Sequence, residues 1–196
     1  MGPPITRDFP DAFETERLLI RSPMPGDGPE LYAAVRGSME DLLPWMPWPA
    51  EHGTVEDSEA SARGARVRFL GRTELRMHLW LKETGTLVGG SGLHRIDWEV
   101  PKFEIGYWCR TSFTGRGYIT EAVLGITEFA FGTLGARRVE IRCDPRNLSS
   151  VRVAERAGFE LEGRLHNNEV GTDGESRDTI VFAMTPEEYE ALRREN

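Results

Sequence analysis

Cysteine, long apolar runs and basic charge are all scarce in this sequence, and each shortage removes a class of protein. Its two cysteines, Cys109 and Cys143, lack the spacing of a disulfide framework or a zinc site, so buried free thiols are expected. His52, His78, His94 and His166 are scattered without ligand spacing, and no metal is expected. No run approaches a membrane span, and Met1 to Pro10 offers three prolines, Arg7 and Asp8 in place of a signal peptide's apolar stretch. A cytoplasmic protein without a membrane partner is the expectation. Lys and Arg number 24 against 32 Asp and Glu, a net charge of -8, which speaks against nucleic acid because phosphate backbones reward clustered cations. An amine-bearing substrate suits that charge, although acidity also serves plain solubility.

Linkers, charge blocks and internal repeats are missing too, so residues 1–196 read as one domain, with 1–12 as a flexible lead-in. Leu18, Leu19 and Ile20 sit in a first strand, Glu16 to Ser22, stopped by Pro23. Asp27 can cap a helix begun by Pro29, and a second helix is expected from about Val55 to Leu70. Leu75, Met77, Leu79 and Leu81 alternate with polar neighbours at the period of a half-buried strand. A turn at Glu83-Thr84-Gly85 leads to Thr86–Arg95, and Lys102–Arg110 adds a third antiparallel strand. From Gly117 an apolar face of Ile119, Ala122, Val123, Ile126 and Ala130 repeats at helical spacing as far as Gly135. Arg138–Cys143 follows as a strand reached by a right-handed crossover, then a helix capped by Asn147 and ended by Gly158, then a final hairpin about Thr172-Asp173-Gly174 and a short helix after Pro186.

Gly115-Arg116-Gly117-Tyr118-Ile119-Thr120-Glu121-Ala122 joins a strand to a helix and is the stretch best suited to phosphate. Glycine lets main-chain N–H groups approach an anion, and a helix N-terminus carries roughly half a positive charge. A tight connection into a buried helix is the plain alternative, and the surrounding motifs decide against it.

Those motifs are Glu104-Ile105-Gly106-Tyr107-Trp108, the glycine-rich turn, Asn147-Leu148-Ser149-Ser150 and Arg156-Ala157-Gly158-Phe159, in that order. Together they resemble the GNAT acetyltransferases, and most closely the ribosomal-protein N-terminal acetyltransferase branch. The resemblance implies an α/β (α+β) fold with a mixed, mostly antiparallel twisted sheet of about seven strands, splayed central strands and helices on both faces. Acetyl-CoA would lie in the splay near Cys109 and Cys143 as cosubstrate. Its pyrophosphate would rest on the N–H groups of Gly115, Arg116, Gly117, Tyr118, Ile119 and Thr120. Thr114 and Ile119 depart from the superfamily pattern at the ends of the loop, but backbone amides survive both changes. Ala154 stands where many members place an acidic tyrosine, so Ser150 inherits the role of acid toward the departing thiolate, with Asn147 holding pantetheine or the local turn. Homodimers are common among the relatives it resembles, so a homodimer is a further expectation.

An α-amino group has a pKa of about 8 and is mostly protonated at pH 7, so a base is needed. Glu104 shares a strand face with Gly106 and Trp108, and Gly106 leaves room for a thioester, which makes Glu104 the candidate base. The amide of Trp108 or Cys109 is the candidate oxyanion donor. Leu43 to Pro49 carries Trp45 and Trp48 among three prolines and could seat an acceptor, while simple packing over the sheet is the better account of at least one of the tryptophans. The favoured acceptor is a protein or peptide N-terminal α-amine, with a polyamine, aminoglycoside or amino acid as alternatives. Two rivals stand outside amine acetylation. A nicotinamide oxidoreductase would want a third glycine at Thr120, and a non-catalytic acyl-CoA module would be content without the tyrosine.

Overall fold

Alternation along the chain is what orders the sheet. The computed structural model describes residues 2–195. Its strands are β1 (Ala12–Glu14), β2 (Leu18–Arg21), β3 (Leu75–Leu81), β4 (Leu87–Asp97), β5 (Lys102–Cys109), β6 (Arg138–Cys143), β7 (Glu160–Val170) and β8 (Ser176–Met184). They form one sheet in the order β1-β2-β3-β4-β5-β6-β8-β7. Every pairing is antiparallel except β5 with β6. The expected seven strands become eight because β1, only three residues long, pairs with β2 through Phe13 and Ile20.

Odd-numbered residues of β3 and β5 (Leu75, Met77, Leu79, Phe103, Ile105) enter one core with Ile119, Ala122, Val123 and Ile126 of helix α4 (Tyr118–Glu128). The opposite face carries α1 (Gly28–Arg36) and α3 (Val55–Leu70), joined by the short α2 (Met39–Leu42) and packed through Leu31, Ala34, Val35, Ala62 and Leu87. Trp48, Trp80 and Trp108 border that smaller cluster. Helix α5 (Leu148–Arg156) follows β6, and α6 (Pro186–Glu195) closes the chain. Phe9, in the lead-in expected to be flexible, meets Phe69, Trp98 and Phe129.

Two end signals behave differently from the sequence pattern. Asp27 precedes α1 but its carboxylate caps nothing there; it pairs with Arg21 and accepts from Met24 N and His78 Nδ1. The helical run toward Gly135 widens over Phe129–Thr133 into a π turn before Gly135 turns it with φ +68°. Thr54 and Asp57 form a reciprocal capping box on α3.

Phe103→Ala removes a fully buried ring that meets Trp98 edge-on at 5.2 Å. The variant is expected to lose about 3–5 kcal/mol of unfolding free energy in a urea titration, and a loss below roughly 1 kcal/mol contradicts this packing.

Candidate active site

Parallel pairing between β5 and β6 covers only Lys102, Phe103 and Glu104 against Arg138, Val139 and Glu140. Beyond that rung the strands part, β5 following β4 while β6 follows β8. Arg110 N donates to Val88 O at 2.9 Å, so by the two-residue period of an antiparallel ladder the amides of Trp108 and Gly106 also face β4. The amides of Tyr107 and Cys109 therefore face the gap. Of the two oxyanion donors read from sequence, Cys109 has the right direction and Trp108 does not. The Cys109 thiol is pushed up to about 11 by burial, as an inert thiol should be.

Tyr107, inside the Glu104–Trp108 motif, takes a role that only the folded chain shows. Its hydroxyl donates to Ser150 O at 3.1 Å and lies 2.9 Å from Ser150 Oγ, which braces β5 against the first turn of α5. Burial raises the Tyr107 hydroxyl far above its ordinary range, so it stays protonated. Asn147 Oδ1 accepts from Ser150 N at 3.1 Å as the cap of α5. Ser150 is thus fixed from both sides of the gap.

At the mouth, Gly115 and Gly117 take φ +74° and +81°, conformations that glycine adopts without strain. Among the described residues, the amides from Gly115 to Thr120 donate to no protein group, because Glu121 N is the first to return to the helix, onto Gly117 O. Ile119 faces the core and leaves the loop undisturbed. Glu121 accepts from Thr15 Oγ1 (2.6 Å), Arg17 N (2.7 Å) and Arg17 Nε (2.6 Å). Arg17 also donates to Arg116 O at 3.0 Å and lies 4.5 Å over the Tyr118 ring. Free amides, a helix start and a braced guanidinium suit a diphosphate. The Arg17 brace could not be read from sequence, since its partner lies 104 residues away.

The other side of β5 bounds a cavity of about 650 Å³. Its floor is the even-numbered face of β3, β4 and β5, with His78, Gly90 and Trp108 in one register row and Arg76, Gly92 and Gly106 in the next. The Trp108 indole occupies the space that a side chain at Gly90 would need, and the His94 ring comes within 3.1 Å of where a Gly106 Cβ would sit. The room expected over Gly106 is thus partly filled by His94. Three of the four histidines, His52, His78 and His94, line this cavity, although their sequence spacing suggested no association. Among the described residues no cluster fit for a metal ion forms.

Trp48 borders the cavity and meets Trp108 at 5.6 Å and His52 at 5.4 Å. Trp45 is not in the lining; its carbonyl accepts from Arg177 at 3.3 Å, while Pro44 O accepts from Thr172 of the hairpin tip at 3.2 Å. Glu104 stands on the same face at the last paired rung, 19% exposed. Arg95 Nε and Arg142 Nε lie 3.4 and 3.6 Å from its Oε2, which accepts no hydrogen bond. Burial pushes its carboxyl above the ordinary range, against the pull of those arginines.

Residues 17–160 match the acetyltransferase (GNAT) domain family model. The chain belongs to the GNAT acetyltransferase family. It is 32% identical over 143 residues to the ribosomal-protein-serine acetyltransferase of Escherichia coli (strain K12), covering 73% of this chain and 79% of that one. It is 31% identical over 114 residues to the uncharacterized N-acetyltransferase p20 of Bacillus licheniformis, covering 58% of this chain and 64% of that one. Its matches span between 44% and 64% of the length of the first curated relatives. The microcin C7 self-immunity acetyltransferase MccE, solved with acetyl-CoA and AMP, superposes with a TM-score of 0.80 at 25% identity over 87% of this chain and 93% of that one.

Gly117→Val forces a β-branched residue to φ +81°, a strain of roughly 1–3 kcal/mol that the loop can relieve only by reshaping. Calorimetric titration with acetyl-CoA should show affinity reduced at least about tenfold. Unchanged affinity contradicts the loop as the diphosphate seat.

Proposed function

We propose that the chain is an acetyl-CoA-dependent N-acetyltransferase that passes acetyl directly to a primary amine, foremost the α-amine of a protein or peptide N-terminus. The observation that carries this reading is the end of β5–β6 pairing at Glu104 and Glu140, beside the free amides of Gly115 to Thr120. The acceptor class is supported by the ribosomal-protein-serine acetyltransferase of Escherichia coli (strain K12). The acetyl-CoA in the MccE structure supports the cosubstrate. A cytoplasmic setting belongs to the same proposal, as does a homodimer; among the described residues no helix is long and apolar enough to cross a membrane.

In this reading the loop amides and Arg17 hold the diphosphate end, and the thioester carbonyl lies in the gap with its oxygen toward the Cys109 amide. The acceptor enters from the cavity past Trp48. Glu104 takes a proton from the attacking nitrogen, for which a carboxyl raised by burial is the better matched base. Ser150 Oγ–H protonates the departing thiolate and its oxygen regains a proton from solvent, while Tyr107 holds the hydroxyl and Asn147 the backbone in place. The nitrogen–carbon bond forms as the carbon–sulfur bond breaks, with no covalent enzyme intermediate.

Release of free thiol from acetyl-CoA across a panel of peptides and small amines tests the activity, and silence across the whole panel contradicts it. Glu104→Gln is expected to lower kcat by about a hundredfold or more while acetyl-CoA affinity stays within about twofold. Turnover equal to that of the unsubstituted chain would remove Glu104 as base.

A further inference from the structure

Transfer to an ammonium acceptor releases two protons from one nitrogen. R–NH3+ and the thioester give the amide R–NH–CO–CH3, the thiol and one H+, so one proton is balanced by the sulfur and the other leaves for solvent. Glu104 can take only one at a time. It is also boxed in by Arg95 and Arg142, with Oε2 buried, which is a poor exit toward water.

Across the strand pair from Glu104, at the same register, stands His94. Its Nδ1 lies 3.1 Å from Glu74 Oε1, and Arg68 and Arg76 hold that carboxylate from α3 and β3. The His94 ring, ahead of the arginines, keeps the Glu74 carboxyl well below the usual range. A carboxylate 3.1 Å from Nδ1 favours the proton on that nitrogen and leaves the Nε2 lone pair open. That nitrogen lies 3.2 Å from where a Gly106 Cβ would sit, lines the cavity and has no hydrogen-bond partner among the described residues. The side chain is 31% exposed, so a proton taken from the cavity has a path out.

Resting on the transferase reading, we propose that His94, oriented by Glu74, takes the first proton from the acceptor ammonium and passes it to solvent, leaving Glu104 to take the second as the amide bond forms. His94 is then a catalytic residue of this reaction and Glu74 a positioning residue. The charged groups about the imidazole are Glu74 from the segment before β3, with Arg76 of β3 and Arg68 of α3 on that carboxylate, and Glu104 from β5 at the same register.

The test has two parts on the full chain. The first compares kcat and KM at pH 8 with an accepted peptide or amine from the panel. His94→Gln should lower kcat by roughly a hundredfold with KM within about twofold, and added imidazole should restore part of that loss by standing in for the missing ring. Glu74→Gln should lower kcat less, and Glu74→Asp should recover most of it. A His94→Gln variant with the turnover of the unsubstituted chain, or one that imidazole does not rescue, overturns the proposal.

The second part needs no acceptor. Nitrogen NMR of the free protein at pH 7.5 should show His94 protonated at Nδ1 and bare at Nε2. Protonation at Nε2 instead overturns the proposal by itself. If no amine in the panel releases thiol, the transferase reading fails, and the tautomer still decides whether His94 has an open acceptor nitrogen.

Discussion

The constraint on which the rest of this molecule depends is the end of pairing between β5 and β6 after a single short parallel ladder. Each missing rung forfeits hydrogen bonds worth about 1 kcal/mol apiece, and the freed amides must find water or a ligand. The fold holds the gap open from both sides. β4 binds β5 along its length, β8 binds β6, and Tyr107 spans to Ser150 below. Two strands tied to different neighbours cannot drift together, so the Tyr107 and Cys109 amides remain aimed into the space between them.

Around that gap the sequence assigns opposite chemistry to the two faces of β5. Odd positions are apolar and anchor α4, which aligns the free amides of the glycine turn with the mouth of the gap. Even positions carry Glu104, Gly106 and Trp108; Gly106 and Trp108 line the cavity under α3, and Glu104 lies on the same strand face outside that lining. Small residues on this face exist for their neighbours' rings: the Trp108 indole lies across Gly90, and His94 lies across Gly106. The charged groups are paired in a way that separates roles. Glu121 is spent on Arg17 under the loop and Glu140 on Arg138 and Arg142, while Glu104 has Arg95 and Arg142 beside it at ion-pair distance and keeps a buried oxygen without a hydrogen bond.

Much of this was legible in the chain because local periodicity dictated it. Helix α3 and strand β6 fall where their patterns end, at Val55–Leu70 and Arg138–Cys143, and Asn147 caps α5 as a short polar side chain should. What could not be read is what strand pairing brings together. Asp27 looked like a cap and became a partner of Arg21 and His78, because a bidentate guanidinium and a buried imidazole 51 residues away hold it more strongly than a helix end does. The histidines looked unrelated because nothing in their spacing encodes the β3–β4 register or the entry of α3 above it. Tyr107 stood inside a recognised motif, but its partner Ser150 lies 43 residues on, past α4 and β6. Strand β1 was too short to show a pattern.

The most direct test of the account is an experimental structure of the chain with acetyl-CoA bound. The account predicts the diphosphate on the amides of Gly115 to Thr120, the thioester between β5 and β6 with its carbonyl oxygen at the Cys109 amide, and no β5–β6 pairing past Glu104. A diphosphate seated elsewhere, or a gap closed by continued pairing of the two strands, contradicts it.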